Sequence, residues 1–223
     1  MKIFFKTFFI SFCMFLLLSA SALGCHKSIE EDISSLVSET RENFFMGQKD
    51  DFFVTFTDGR RESDYKMDGT CTALMPYGVI VLKTTQNLGQ NPDFQLAAGQ
   101  EVYSDQMEIN PFDNTYVADI GKMIGNIDSL TFSLPSSDIT IELYNKSKDW
   151  SVSCSKALDI FVKAHKDSLA TFYNNGKLGG EVFIKIVQDS SARDIFYYVL
   201  FVSSTQEVLG SLIDASTGQI VQQ

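Results

Sequence analysis

Thiols and imidazoles are scarce in this chain of 223 residues, which contains four cysteines and two histidines. A nucleophilic thiol needs a base within hydrogen-bonding reach, and a metal ion needs several such ligands close together. A single predicted helix holds Cys154 and His165, whose spacing of eleven residues returns to nearly the same helix face. The helical rise nevertheless separates them by about 16 Å. The sequence therefore predicts neither a cysteine hydrolase nor a metal or cofactor site.

His165 is the residue best suited to act as a general base. It falls on the apolar face of the predicted helix, together with Phe161 and Leu169. An imidazole in such a position is more often packed and hydrogen-bonded than catalytic. We therefore expect His165 to be structural, and we assign a catalytic role to no residue.

Carboxylates are the remaining source of acid–base chemistry, because the chain has 28 aspartates and glutamates. Asp50, Asp51, Asp58, Asp64 and Asp68 stand near predicted turns, where solvated acids are common. A glycosidase-like site would need two of them facing each other across a cleft. A hydrolase that uses paired carboxylates in the β-rich region stays open as an alternative.

The first 24 residues have the composition of an export signal. Two lysines precede an uncharged apolar run at 8–18, which is too short to span a membrane. Cleavage after Ala22 would release a secreted protein. The run from Ala22 to Cys25 also resembles a bacterial lipobox, in which the cysteine becomes the lipid-modified first residue. We expect the lipoprotein, exported to the outer face of the cytoplasmic membrane, with free secretion as the alternative.

The cysteine count is consistent with lipidation. Cleavage before Cys25 leaves Cys25, Cys71 and Cys154 in the mature chain. If Cys25 carries lipid, the other two can pair in an oxidising compartment, whereas simple secretion leaves one thiol over. We therefore predict a disulfide between Cys71 and Cys154.

The charge balance limits the partners. The formal net charge is −10, and loss of the signal removes Lys2 and Lys6 but no acid, so the mature chain has −12. An acidic chain without a basic block is a poor partner for nucleic acid. Anionic lipid heads repel it as well, so membrane attachment should come from acyl chains on Cys25.

The segment 25–49 is expected to hold the anchor and an N-terminal helix. Ser28 and Glu31 form a capping box, and apolar residues then recur at helical spacing up to Phe44. This pattern predicts a helix over 28–45, packed on one side of a sheet.

From 50 to 150 the pattern changes to β-forming runs separated by Gly, Pro, Asn and Asp. A strand at 52–57 precedes a predicted hairpin turn at Asp58-Gly59, and a second predicted turn covers 135–138. Further strands are predicted at 77–85, 101–109, 115–120, 130–134 and 139–144. We expect an antiparallel β-rich sandwich or partial barrel.

Residues 151–223 are predicted to form an α+β unit. A helix capped by Ser153 or Ser155 carries an apolar stripe and ends at 174–176, with Gly176 as its C-cap. An antiparallel β-meander then follows, with strands at 181–188, 195–203 and 208–214 and a tail at 219–221. The predicted fold class of the whole chain is α+β.

The end of the chain resembles a PepSY-type module. A helix with Ala157-Leu158 precedes paired strands that contain Phe196–Phe201, and the closing run includes the motif D-A-x-T-G at 214–218. The resemblance implies a PepSY/cystatin-like fold and a role around cell-surface peptidases, since such modules occur in inhibitory pro-regions and anchored envelope proteins. In the motif, Asp214 can accept backbone N–H groups while Gly218 takes a positive φ, so both residues are structural.

We expect a non-enzymatic protein that binds an envelope protein or peptide by strand addition or groove docking. One alternative is a carrier of apolar ligands, in which a helix covers a curved sheet. The other is the paired-carboxylate hydrolase. An open sheet edge favours a protein partner, a deep phenylalanine-lined cavity favours the carrier, and carboxylates about 5 to 9 Å apart favour the hydrolase.

Lipidation at Cys25 has a direct test. In bacteria that express the full chain, we expect radiolabelled palmitate to be incorporated, and we expect Cys25→Ala to abolish the label because the acceptor thiol is gone. Cys154→Ala is the matched control and should retain the label. Native protein that takes up no palmitate would show that the chain is not lipid-modified.

Overall fold

The computed structural model describes residues 29–63, 66, 68, 70–189 and 194–222. The predicted signal at 1–24 and the lipidation site Cys25 lie outside these residues. The structure is 52% strand and 15% helix, which makes it a β-rich α+β fold. No helix in the described ranges is long and apolar enough to cross a membrane.

Three α-helices occur in the described part of the chain: α1 (Ile29–Ser34), α2 (Cys154–Ala164) and α3 (Lys166–Ala170). The strands before α2 are β1 (Val37–Lys49), β2 (Phe52–Glu62), β3 (Leu74–Lys83), β4 (Asp93–Ala98), β5 (Glu101–Gln106), β6 (Glu108–Ile109), β7 (Tyr116–Asp119), β8 (Ser129–Leu134) and β9 (Ile139–Asn145). Those after α3 are β10 (Tyr173–Asn174), β11 (Lys177–Leu178), β12 (Gly180–Gln188), β13 (Ile195–Ser203), β14 (Val208–Asp214) and β15 (Ile220–Gln222).

Eight strands close into a ring of antiparallel hydrogen-bonded pairs. The order around it is β1, β2, β3, β7, the strand 101–109, β4, β8, β9 and then β1 again. The strand 101–109 is interrupted at Met107, so that β5 pairs with β4 while β6 pairs with β7. The sheet therefore closes on itself in the region where the sequence predicts a sandwich or partial barrel.

Buried apolar side chains fill the interior of this ring, which we call the ring core. Five phenylalanines belong to it, each at most 1% exposed: Phe45, Phe52, Phe56, Phe94 and Phe132. Side chains thus occupy the space that a carrier of apolar ligands would need, and the carrier alternative gains no support from the ring.

The last four strands form a meander beside the ring. β12 to β15 pair antiparallel in chain order, and β12 pairs parallel with the start of β1, with Val37 opposite Val182. All three helices contribute to a second core against this sheet, through Ile33, Phe161 and Leu169 among others. We call it the helix-side core.

β1 belongs to both units because it changes partner along its length. One edge pairs with β2 from Glu39 to Lys49. The other edge pairs with β12 up to Thr40 and with β9 at Phe45 and Met46. Successive side chains of a strand point to opposite faces, so Phe44 lies in the helix-side core and its neighbour Phe45 lies in the ring core.

The predicted helix over 28–45 is wrong beyond its first turns. α1 ends at Ser34, and β1 begins at Val37. The apolar residues fit a helical repeat, but pairing with β2, β12 and β9 supplies ladder hydrogen bonds on both edges of the segment. Such tertiary pairing outweighs local propensity.

The predicted turn at Asp58-Gly59 is also wrong, because both residues lie inside β2. A register shift in β1 between Arg41 and Asn43 places Gly59 opposite Arg41 and Asp58 opposite Asn43. The strand thereby accommodates a dipeptide that usually marks a hairpin.

The C-terminal helix begins where the sequence predicts and ends earlier. The Ser153 hydroxyl caps α2 by accepting the N–H of Lys156, 3.2 Å away. The helix stops before His165, and residues 173–178 form the hairpin β10–β11 with Gly176 at φ 75° in its turn. Gly176 is thus a turn glycine and not a helix C-cap. β13 and β14 have the predicted bounds.

Gly59 is required by the close approach of β1 and β2. A Cβ atom built on it would lie 2.0 Å from the carbonyl oxygen of Thr40, a backbone atom that cannot move aside alone. We expect Gly59→Ala to lower the free energy of unfolding by about 1–3 kcal/mol in urea denaturation. Gly121→Ala is the matched control, since no atom lies within 4 Å of its added Cβ. Equal stability of the two variants would contradict this account.

Candidate functional site

A groove of about 830 Å³ lies where β1 changes partner. Residues of β1, β12, β13, the start of α2 and the loop before it line the groove, which we call the junction groove. Trp150 stacks on Phe44 with ring centroids 6.1 Å apart and meets Tyr197 edge-on at 5.5 Å. Trp150 and Tyr197 both line the groove, but Tyr197 is only 1% exposed, so Trp150 is the aromatic side chain that borders the groove.

The rest of the lining is rich in hydroxyls and amides. They come from Thr40, Asn43, Asn126, Ser147, Ser151, Ser153 and Ser155. The charged residues in the lining are Glu42 and Lys148, and the Lys148 ammonium forms an ion pair with Asp128. Because Asp128 compensates Lys148, Glu42 gives the polar groove a small negative charge.

Asp58 holds one rim of the groove in place. Its carboxylate is fully buried and accepts the side-chain amide of Asn43 at 2.7 Å. The same carboxylate accepts the backbone N–H groups of Ile124 at 2.7 Å and Gly125 at 2.9 Å. Met123 and Asn126, beside those two residues, line the groove, so Asp58 ties the segment 123–126 to β1 and β2. Burial raises the pKa of Asp58 despite these hydrogen bonds.

Cys154 lines the groove but is a poor nucleophile. Burial, with the negative charge of Glu42 as a second cause, raises the pKa of its thiol to about 12. The neutral thiol therefore predominates at physiological pH, and the thiolate is the reactive form.

The structure has Cys71 and Cys154 as free thiols, so the disulfide predicted between them is not formed in it. Cys71 Sγ donates to the carbonyl oxygen of Val37 at 3.0 Å, whereas Cys154 lies beside the backbone of Arg41. Four residues of an extended strand span about 13 Å. The two thiols thus contact different points of β1. Burial raises the pKa of Cys71 as well.

His165 is packed and hydrogen-bonded, as the sequence predicts. Its Nε2 lies 2.7 Å from the Ser211 hydroxyl, and its ring lies 4.6 Å from the Phe161 ring. Burial lowers the pKa of the imidazole. His165 and Cys154 lie at opposite ends of α2, which keeps them apart.

The aspartates considered for a hydrolase lie at separate places. The Asp51 carboxylate accepts the hydroxyls of Thr84 and Thr85, and Asp58 lies seven residues further on, about 23 Å along an extended strand. The carboxylate of Asp68 accepts the N–H of Thr70. Asp50 occupies the turn between β1 and β2, and Asp64 lies outside the described residues. The contacts of the four described aspartates bring no two of these carboxylates together across a cleft.

Three buried glutamates were not singled out by the sequence. Glu39 Oε1 accepts the Tyr77 hydroxyl at 2.7 Å and Arg41 Nε at 3.1 Å. Glu62 accepts the N–H of Thr72, and Glu181 accepts the N–H groups of Asp68 and Thr70 at 2.8 and 2.9 Å. Glu62 and Glu181 thereby hold the described residues of the connection from β2 to β3 against the sheet, whereas Glu39 links β1 to β3. Nothing local marks them, because charged residues in strands normally face water.

The turn at the end of β14 has the expected geometry. Asp214 Oδ1 accepts the N–H groups of Ser216 at 2.9 Å and Thr217 at 2.7 Å, and Gly218 has φ 76°. Both residues shape the turn and contribute no reactive group.

A second opening lies in the ring, between β5 and the segment 119–122. A cavity of about 520 Å³ is lined by residues 102–105 on one side and 119–122 on the other. β6 and β7 pair at Glu108 with Val117, and that register, if continued, would place Tyr103 opposite Lys122. The two chains separate instead, and Lys122 Nζ lies 5.0 Å from the centroid of the Tyr103 ring. We call this opening the ring split.

No family model, no curated protein and no solved structure matches the chain. Within the described ranges no group of three or more His, Cys, Asp or Glu side chains could hold a metal ion. The junction groove and the ring split are therefore the candidate sites of this protein.

The raised pKa of Asp58 has a consequence for stability. The folded state binds the proton of this carboxyl more tightly than the unfolded state, so its contribution to stability is lost as pH rises through the folded pKa. We expect the free energy of unfolding of the native protein, minus that of Asp58→Asn, to fall as the pH rises above about 4, the usual pKa of an aspartate. Urea denaturation at a series of pH values measures the difference. A difference that rises with pH would contradict the assignment.

Proposed function

We propose that this protein is an extracytoplasmic binding protein, anchored by lipid on Cys25, that takes an extended segment of a partner protein or peptide as an added strand on β5. The observation that carries the proposal is the ring split. Over its six residues β5 pairs with β4, and its other edge has no strand partner among the described residues. Unpaired N–H and C=O groups on such an edge are a template for another strand.

The edge is exposed as strand addition requires. Val102 is 58% exposed, and Ser104 and Asp105 are also exposed. The contact of Lys122 with Tyr103 is a cation–π interaction, worth about 0.5–1 kcal/mol at an exposed site. An incoming strand can displace it at little cost.

The charges of the edge favour a basic partner. Glu101 and Asp105 stand on β5, and Glu108 follows it. Asp119, across the split, is already paired with Arg61. Acidic side chains oppose pairing of β5 with a second copy of itself and favour a segment with lysine or arginine.

The PepSY/cystatin-like assignment of 151–223 is part of the proposal. Its support is the order of α2, the meander β12–β14 and the turn at Asp214. The hairpin β10–β11 and the parallel pairing of β12 with β1 are additions to the expected pattern. If the assignment holds, the partner belongs among cell-surface peptidases or their peptide substrates.

Two synthetic hexapeptides test strand addition, one alternating valine with lysine and one alternating valine with glutamate. We expect the lysine peptide to slow amide hydrogen exchange at 102–105 and the glutamate peptide to have no effect. Asp105→Lys should weaken binding about fivefold, since loss of one exposed charge pair corresponds to about 1 kcal/mol. Gln95→Lys, an exposed position on β4, is the control and should bind normally. No protection at 102–105, or equal protection by both peptides, would refute the proposal.

A further inference from the structure

We propose that the junction groove is a binding site for a neutral oligosaccharide. The inference does not depend on strand addition at the ring split, because the groove lies at β1 and α2 and shares no lining residue with the split. Its volume of about 830 Å³ falls within the range of about 300–1,000 Å³ that is usual for small-molecule sites. Such sites also lie preferentially where two structural units meet.

The polar and charged groups that line the junction groove indicate the class of ligand that it would bind. Hydroxyls both donate and accept hydrogen bonds, and amides offer one group of each kind. Sugar hydroxyls have the same dual character. Asn43 is engaged with Asp58. The Ser147 and Ser151 hydroxyls, which donate to Asn145 and to the carbonyl oxygen of Ser216, can still accept a hydrogen bond, and Asn126 can still donate its amide N–H groups. Among the described lining residues, Lys148 is the one cation and is paired with Asp128, and Glu42 adds a negative charge, so an anionic ligand is disfavoured.

Trp150 supplies the apolar part of the site. A pyranose ring has a face of C–H groups that packs on an aromatic surface, and Trp and Tyr combine such a surface with a polar tip. Trp150 is half-buried and held against Phe44 and Tyr197, so its orientation is set before a ligand arrives. Tyr197 is 1% exposed, so it supports Trp150 through the edge-on contact and offers no ring face to a sugar.

A peptide strand is a poorer fit for this groove. The backbone of residues 41–44 in β1 faces the groove, but two of its residues, Arg41 and Phe44, already have backbone contacts. The carbonyl oxygen of Phe44 accepts the N–H of Lys146 at 2.8 Å, and Cys154 lies beside the backbone of Arg41. Recognition must therefore come from side chains, which suits a ligand with many hydroxyls better than one that needs a strand edge.

Trp150 is the single tryptophan of the chain, so its fluorescence reports on the groove directly. The full mature chain should be titrated with cellotetraose, chitotetraose and maltotetraose, and with tetraglycine as a chain of similar length without sugar rings. We expect a saturable change in Trp150 emission with at least one tetrasaccharide and none with tetraglycine.

Substitutions of polar residues at the rim of the groove leave Trp150 in place and test the hydrogen bonds to the saccharide. Asn126→Ala and Ser155→Ala should each weaken saccharide binding about 3- to 10-fold, as expected for loss of one hydrogen bond. Ser136→Ala, on the exposed turn between β8 and β9, should bind as the native protein does, and so should Asp105→Lys at the ring split. Circular dichroism checks that each variant is folded. The proposal fails if no tetrasaccharide gives saturation, if tetraglycine gives the same response, or if the rim variants bind as tightly as Ser136→Ala.

Discussion

The constraint on which the structure depends is that β1 has to serve two cores at once. Phe44 and Phe45 are consecutive, and each is buried in a different core. A strand can do this because its side chains alternate between faces, whereas a helix through the same residues would turn neighbouring side chains only about 100° apart. The extended conformation of 37–49 thereby allows the ring and the C-terminal meander to share one sheet.

Both candidate sites lie where neighbouring strands of the sheet stop pairing and separate. β12 pairs parallel with β1 and β9 pairs antiparallel with it, so the two diverge from the strand near residues 41–44 and leave the junction groove between them. At the ring split, β6 and β7 pair over two residues and the chains then separate. A closed ring protects strand edges, and both candidate sites lie at places where this pairing stops.

The buried acids position the chain and carry no chemistry that we can assign. A buried carboxylate is tolerated when hydrogen bonds or charges compensate its lost hydration. Asp58 receives three N–H donors, and Glu39 receives the Tyr77 hydroxyl and the Arg41 guanidinium, with Lys185 Nζ 3.5 Å from its other oxygen. The hydrogen bonds of Asp58 hold the segment 123–126, at the rim of the junction groove, in a fixed position. The thiols of Cys71 and Cys154 have raised pKa values, and this also fits binding better than catalysis.

What the sequence by itself determined is local. The cap at Ser153, the bounds of β13 and β14, the Asp214–Gly218 turn and the packing of His165 all depend on a few adjacent residues or on one apolar stripe. The tertiary structure decided whether 37–49 is helix or strand, whether Asp58-Gly59 is a turn, what each cysteine contacts, and where Trp150 and Tyr197 meet. These features depend on residues far apart in the chain, and a hydrogen bond or contact across such a distance forms only when the whole sheet does. A local sequence pattern does not specify the pairing of distant strands, so the candidate sites could be identified only in the folded molecule.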